Sequence, residues 1–461
     1  MKKFTKLLSV FSVALLAVGC SSGNASTDTN TTSSSSEASS NASSSNSSSD
    51  KTVLRVQWIG DFQQNDSTDP MTGAKRLGLY VVENEFERLY PDVDLQFITM
   101  GWDDYVKKTQ TMIISNEADV YQVPGISGLV EQNMLLPLDS YIERDNYDLN
   151  VYLHGQVEGW MVAGPDDDEL EIYSLPLLGD TRIITYDKEI FDQWGVEYLS
   201  EYPTIDEILT KASQMTGTNP VTGQNNFGLT YEGVDAADSV MNINESLGGI
   251  WGTGNKLGEL VTEFNSDTMN EAAHIFLELI QYAPETALVG QGSELYGTHA
   301  NNIAINLRDA PITIFSAQEL GLGDRYGVSK LFVNEDLGMG GMFAGSPLAI
   351  STTSENPDLA WEYIKFTSSD FVQQYLWENQ KHQALPVTKS GLTFDGIADN
   401  AEVYKMVEAM ERLWTPRYIY RSSQPRAILT DAVQNIVLGT MSVEDGLNKA
   451  QSETEDWVKQ Q

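Results

Sequence analysis

Leu175-Pro176-Leu177-Leu178-Gly179-Asp180-Thr181-Arg182-Ile183-Ile184-Thr185-Tyr186-Asp187-Lys188-Glu189-Ile190-Phe191 is the stretch from which the fold can be read. Residues 182–186 are rich in β-branched and aromatic side chains, which suit a strand. Residues 190–194 follow as a short helix that stops at Gly195, a residue free to take the left-handed conformation at a helix end. A strand running straight into a helix is half of a βαβ unit, and the sequence beyond it supplies the rest. Thr204 and Glu207 have the spacing of a capping box, with Thr204 accepting from first-turn amides and Glu207 reaching back. They open a helix through Met215. Residues 227–231 read as a strand, 269–282 as an amphipathic helix stopped by Pro284, and 303–307 as another strand.

The sequence before the opening stretch repeats this grammar. Residues 52–59 alternate as a strand, and a polar loop, 61–72, follows. Leu77, Val81, Val82, Phe86 and Leu89 recur at helical spacing up to Tyr90-Pro91. Residues 93–98 are a strand, 102–115 a helix with Tyr105, Val106, Thr109, Met112 and Ile113 on one face, and 118–123 a short strand. Strand and helix in alternation predict a parallel sheet with helices on its faces. The last third turns helical. Asn356-Pro357 places proline at a first helical position, and helices fit 370–378, 402–413, 426–438 and 443–458. There is no tandem repeat. Two α/β halves with a helical C-terminal portion are expected.

The chain has 461 residues, 41% of them hydrophobic and 20% charged, an ordinary globular balance. Its first fifty residues are of another kind. Lys2, Lys3 and Lys6 precede an apolar run, 7–18, too short to span a bilayer, which needs about 20 residues. The run ends in Leu16-Ala17-Val18-Gly19-Cys20, with Cys20 the only cysteine in the chain. This looks like a bacterial lipoprotein box, with Ala17 where that pattern more often has leucine. It implies a signal peptide over 1–19 and lipidation of Cys20. Residues 20–51 then form a serine-rich tether with nothing apolar to bury, reaching roughly 30 Å by a coil estimate. The protein is expected at the outer face of the cytoplasmic membrane, anchored by its lipid.

Without the leader the chain carries 25 basic against 66 acidic residues, a formal charge of -41. That excludes nucleic acid as a natural partner, since phosphate binding needs a basic footprint. It suits a solubilising surface, or attraction of cationic ligands. With Cys20 acylated no thiol remains, so disulfides, a thiolate nucleophile and a cysteine metal site are excluded.

The opening stretch also resembles the crossover segment of extracellular solute-binding proteins of the ABC-transporter sugar type. The pattern there is a Leu-Pro (Leu175-Pro176), a polar cluster (Asp180, Thr181, Arg182), a strand ending in Tyr-Asp-Lys (186–188), and a helix holding Phe191 and closing at glycine. Other stretches agree in order and spacing: Phe86 to Pro91 with Val93; Asn133 to Ile142 with Leu136-Pro137-Leu138; Gly340-Gly341 through Ile350; Asn356 to Thr367; and Ala384-Leu385-Pro386. The loop 61–71 is longer than usual for this pattern. The resemblance implies a two-lobe, periplasmic-binding-protein-like fold of type II with hinge crossovers at 180–186 and 303–308. It implies an N-terminal lobe of 52–180 plus 305–340 and a C-terminal lobe of 181–304 plus 341–461. It also implies capture of a sugar or oligosaccharide by hinge closure and its delivery to an ABC permease, by a protein that is a monomer and not an enzyme.

A sugar site needs flat rings to stack on and polar side chains for the hydroxyls. Ligands of open α/β sheets sit beyond the carboxyl ends of strands. By position the candidates are Trp58 and Asp61 at the first strand, Gln122 at the third, Asp180 and Arg182 at the crossover, Tyr231 followed by Glu232, and Trp251 in a glycine-rich turn. Arg308 with Asp309, Phe343 beside Met342, and Trp414 in a cluster with Arg417, Tyr418 and Arg421 complete the set. Each has a plainer reading. The tryptophans could be packing, and Asp180 could simply pair with Arg182. Trp102 opens a helix and fits either role, while Trp361 and Trp377 fall on helical faces and read as core.

Catalytic chemistry finds little support. There is no Gly-x-Ser-x-Gly elbow, no His-Glu-x-x-His and no phosphate loop, and His154, His274, His299 and His382 are far apart. The acidic run 166–169 lacks the alternation of a calcium loop and reads as a solvated turn. Nothing calls for a cofactor or a metal. A glycosidase would need two carboxylates about 5–10 Å apart, which 66 acids leave open. Within binding proteins the alternative ligand is a polyamine, held by acids and an aromatic box, or another non-sugar solute such as ferric iron on clustered tyrosines.

Overall fold

The computed structural model describes residues 51–461 except 104, 124, 166–168, 234–235, 255, 332, 335–338, 341, 380–384 and 411–423, and side chains are described over the same residues except 257, 333–334, 339–340 and 342–344. In chain order the main elements are β1 (Thr52–Ile59), α1 (Tyr80–Leu89), β2 (Val93–Met100), α2 (Tyr105–Ile114), β3 (Val120–Gln122), α3 (Ser127–Glu131) and α4 (Asp139–Asp145). Then come β4 (Leu175–Asp187), α5 (Lys188–Trp194), α6 (Ile205–Gln214), β5 (Gly217–Thr218), β6 (Asn225–Thr230), α7 (Ala236–Ser246) and α8 (Asp267–Leu279). They are followed by β7 (Ile303–Asp309), α9 (Ile312–Glu319), β8 (Tyr326–Lys330), β9 (Met342–Ile350), α10 (Pro357–Thr367), α11 (Asp370–Asn379), α12 (Ala401–Met410), α13 (Gln424–Val437) and α14 (Val443–Val458).

The opening stretch of sequence is a single 13-residue strand, β4, and it joins the two lobes. Its first half, 175–182, pairs antiparallel with β9, which pairs in turn with β3. β3 and β2 flank β1 in parallel, Val56 facing Val120 and Thr52 facing Val93. Its second half, 183–187, pairs antiparallel with β7 and β8. β7 runs parallel to β6, and β5 closes that edge. Two parallel-strand halves therefore share one strand, and a short twist in β4 would swing one against the other.

This pairing corrects the expected division. Residues 303–309 belong to the second lobe's sheet, beside β6 and the second half of β4. Residues 342–376 belong to the first lobe. β9 lies between β3 and β4, and Ala360, Trp361, Tyr363 and Ile364 of α10 share a core with Leu54, Val56 and Phe86. The physical reason is that lobe membership follows sheet pairing between residues 76 to 230 positions apart. Local patterning carries none of that information.

A second cluster, in which Leu229, Ile305, Met269, Phe276 and Leu429 meet, fills the second lobe and runs on to Tyr121, Val123 and Ile126 of the first. A third cluster joins α9, β8, α11 and α12 through Phe315, Tyr326, Trp377 and Met406. Trp361 and Trp377 are core, as expected, their indole N–H groups donating to Asp145 Oδ2 (2.7 Å) and to the carbonyl of Asp395 (2.9 Å). The capping box forms by half. Thr204 accepts from the Glu207 amide at 3.1 Å, but the Glu207 carboxylate turns to Ser200 and Lys211. Asn356 makes no side-chain cap, leaving Pro357 at the first turn to set the start of α10. Among the described residues no helix is long and apolar enough to cross a membrane.

Candidate ligand cleft

The parallel strands of both lobes end toward one another. β1, β2 and β3 end at Ile59, Met100 and Gln122 in the first lobe, and β6 and β7 end at Thr230 and Asp309 in the second. On this side α3 comes into contact with the turn Leu257–Glu259 of the second lobe. Binding groups belong at such strand ends.

Several sequence candidates lie elsewhere. Trp58 is fully buried, edge-on to Phe62 and Phe97 with ring centroids 5.0 Å away in each case. Strand alternation explains this, because Leu54, Val56 and Trp58 share the face packed on α1 and α10. Tyr231 is buried edge-on to Phe276 at 5.2 Å, and burial pushes its phenol up to about 12. Trp251 is 2% exposed and belongs to the second lobe's core. All three rings are buried in packing contacts. Phe343 pairs through its backbone with Thr181, but its side chain lies outside what is described. Trp414 with Arg417, Tyr418 and Arg421, and Cys20, lie outside the described residues. Asp180 and Arg182 pair with each other at 2.6 Å, the plainer of their two readings.

The remaining candidates lie at the strand ends. Asp61 is exposed just past β1. Gln122 is buried, its Oε1 accepting from the Ile59 amide at 2.7 Å, while its Nε2 meets no partner among the described residues. Gln57, which the sequence reading missed, is fully buried with neither amide atom partnered among the described residues. Trp102 is 39% exposed and edge-on to Tyr105 at 5.3 Å, which makes it an accessible ring at the end of β2.

Across from these, Arg308 lies one residue before the end of β7 with a side chain 1% exposed. It donates to Glu232 through Nη1 and to Asp238 Oδ2 through Nη2 at 3.0 Å. Asp238, fully buried on α7, also takes Arg426 from the start of α13 at 3.2 Å. Two arginines and two carboxylates thus balance in charge at this wall. Asp238 and Arg426 were also missed. α7 holds Asp238, Ser239, Asn242, Asn244 and Glu245, a polar run that suggests a surface helix, yet all five are buried. Beside Arg308, a small cavity of about 10 Å³ is lined by Ser239, Asn242, Ile243, Leu307 and Leu331. Ser239 Oγ and both Asn242 amide atoms have no partner among the described residues. Such a space admits one water or one ligand hydroxyl.

A scan of sequence families gives the bacterial extracellular solute-binding proteins as a match to residues 78–374. The chain belongs to this family. The solute-binding protein also resembles solved structures across its length. The sugar-binding protein MalE of Xanthomonas citri superposes with a TM-score of 0.69 at 16% identity, covering 89% of this chain and 98% of that one. An ABC substrate-binding protein of Listeria monocytogenes, in complex with cycloalternan, gives 0.68 at 18% identity, covering 88% and 99%. A putative binding protein of Brucella abortus (strain 2308) is 21% identical over 373 residues, 78% of this chain and 84% of that protein.

One buried acid makes this solute-binding protein sensitive to pH. Asp309, the last residue of β7, accepts from Thr185 Oγ1 (2.5 Å), Thr313 Oγ1 (2.8 Å) and the Ala310 amide (2.9 Å). Burial nevertheless raises its carboxyl to about 6. The unfolded chain releases this proton near 3.9, so the folded state holds it more tightly. Stability from this source is complete below pH 4 and is lost as pH rises through about 6, by roughly 3 kcal/mol. Asp309→Asn is expected to lose that decline, so that the difference between variant and parent melting temperatures grows from pH 4 to pH 7. A difference that stays constant with pH would show Asp309 ionised throughout.

Proposed function

We propose that this protein is the binding component of an ABC importer for a sugar or oligosaccharide. It closes its lobes around the ligand and passes it to a membrane permease, held at the outer face of the cytoplasmic membrane by a lipid on Cys20. The observation that carries the sugar reading is the polar lining of the strand ends. Gln57, Gln122, Ser239 and Asn242 are buried amides and hydroxyls with donors or acceptors left over. Leaving such groups unmade costs about 1–3 kcal/mol each, which a ligand bearing both hydroxyl donors and acceptors offsets. Trp102 supplies a ring for the apolar face of a sugar. The cycloalternan bound to the Listeria relative is in keeping with this. A polyamine fits less well, since Arg308 and Arg426 already neutralise the acids Glu232 and Asp238.

Thermal melting of the chain from Lys51 onward, screened against mono- and oligosaccharides, spermidine and ferric citrate, tests the reading. A sugar at about a hundred times its dissociation constant should add roughly 2.7 kcal/mol, a rise of a few degrees that persists at high salt. A response to spermidine alone, fading as ionic strength rises, would replace the sugar reading and keep the transport role.

A further inference from the structure

The unusually long loop after β1 folds into a hairpin, Ser67–Thr68 pairing with Lys75–Arg76. Asp69 Oδ1 shapes its turn by accepting from the amides of Met71 and Thr72, each at 2.9 Å. The base of the hairpin is fastened to the first lobe. The Leu77 amide donates to Asn379 Oδ1 (2.9 Å), Tyr375 donates its hydroxyl to the Leu77 carbonyl (3.0 Å), and the Gly78 amide donates to Asp66 Oδ1 (3.0 Å). A Cβ at Gly78 would lie 2.3 Å from the Gln64 carbonyl, so this anchor is tightly folded. Tyr375 and Asn379 are on α11, whose Val372, Tyr375 and Leu376 are in the first lobe's core.

The hairpin also reaches a different part of the molecule, from Arg76 at its base and Thr72 in its turn. Arg76 Nη2 donates to both carboxylate oxygens of Glu319, at 2.7 and 2.9 Å, and Thr72 Oγ1 donates to Glu319 Oε2 at 2.6 Å. Glu319 is the last residue of α9, which follows β7 and is tied to it by the Thr313–Asp309 bond. β7 is a strand of the second lobe's sheet, so the carboxylate and the guanidinium come from opposite lobes. Both side chains are sheltered, at 12% and 18% exposure, where a charge-assisted bond is shielded from water and salt. α9 also meets the first lobe through Phe315, edge-on to Trp377 at 5.4 Å.

We infer that the hairpin Ser67–Arg76 is an interlobe latch, in which Arg76 and Thr72 grip Glu319 and so set how much of the ligand-free protein is closed. The inference rests on the hinge-closure reading above. If opening breaks this contact, the contact biases the equilibrium toward closure. It strengthens ligand binding by the factor it adds to that bias, without touching the ligand. The latch thus works as a gain setting on affinity, separate from the polar wall that recognises the solute.

The chain from Lys51 onward holds no cysteine, so Ile114→Cys on α2 and Val289→Cys in the second lobe, both well exposed, accept a pair of fluorophores cleanly. Energy transfer is read without ligand in this background and in Arg76→Ala, Glu319→Ala and the charge-swapped Arg76→Glu/Glu319→Arg. Both single variants should move the ligand-free population toward low transfer, and the swap should restore it. Where a binding sugar has been found, each single variant should weaken its affinity about threefold to tenfold. Glu319→Ala lies outside the hairpin, so its result does not depend on the hairpin's own folding. Unchanged transfer in Glu319→Ala, or single-variant shifts that the swap leaves uncorrected, would overturn the latch. Because the primary readout is ligand-free, it stands apart from whether any sugar binds.

Discussion

Replacing Asp187 with alanine is expected to destabilise the protein by about 4–6 kcal/mol. Asp187 closes β4 and is fully buried. Both its oxygens accept from Arg325 Nε at 3.0 Å, Oδ2 also takes Arg325 Nη2 and Asn301 Nδ2 at 2.7 Å each, and Oδ1 caps α5 through the Glu189 amide at 3.0 Å. Breaking a buried ion pair from one side costs about 3–5 kcal/mol, because the surviving charge stays buried. Losing the cap adds about 1. Arg325 would keep Glu189, at 2.9 Å but 53% exposed, as a weak substitute. Asp187→Asn retains an acceptor for the cap and should lose about half as much. Denaturant unfolding followed by circular dichroism measures both. A loss under about 1 kcal/mol for the alanine variant would mean that water reaches Arg325 easily and that the pair does not hold β4 to β8.

Asp187 also shows how the sequence could be read and where it could not. The Tyr-Asp-Lys at 186–188 was legible as a strand end entering a helix, and the structure gives the reason: the carboxylate caps α5 while anchoring Arg325, just ahead of β8. Local information of that kind carried the strands and helices over most of the chain, since period-2 and period-3.6 patterns follow from burying one face. Trp58 shows the limit of reading by position, although its parity is visible. Its place at a strand end suggested the cleft, but Leu54 and Val56 two and four residues earlier already assigned its face to the core. Trp251 sits in a glycine-rich turn that looked open, yet Gly249 packs against Asn244 and Gly252 against the strand at Val261, leaving the ring inside. The wall formed by Glu232, Asp238, Arg308 and Arg426 had no local signal, because its members are up to 194 residues apart and meet only once β6, β7, α7 and α13 are assembled. The same limit hid which lobe takes residues 303–309 and 342–376.

Arg308→Met is expected to weaken ligand binding by about a hundredfold or more, with a stability loss that a second substitution can separate from it. The methionine fills most of the volume but takes one arginine from Asp238, fully buried, which keeps Arg426 at 3.2 Å, and removes the arginine that Glu232 holds. A buried carboxylate that has lost one of its arginines draws water or moves its helix, and α7 also carries Ser239 and Asn242 beside the same cavity. Disturbing one therefore misplaces the others. A misplacement penalty of about 3 kcal/mol, the lower end of the cost of breaking a buried pair, corresponds to roughly a hundredfold in affinity. Adding Asp238→Asn removes the stranded charge, so the double variant should recover most of the melting temperature. It should not recover binding if Arg308 shapes the cleft wall or contacts the solute, because an amide beside methionine cannot hold Glu232 and α7 in register. Calorimetric titration with a sugar identified by melting, run on the single and double variants, divides the cases. Recovery of both stability and affinity would reduce Arg308 to a structural partner of Asp238 and move the recognition site toward Gln57, Trp102 and Gln122 in the first lobe. Recovery of stability alone would give Arg308 a part in binding, by contact with the solute or by shaping the wall, and make the second lobe's charged wall part of the recognition site.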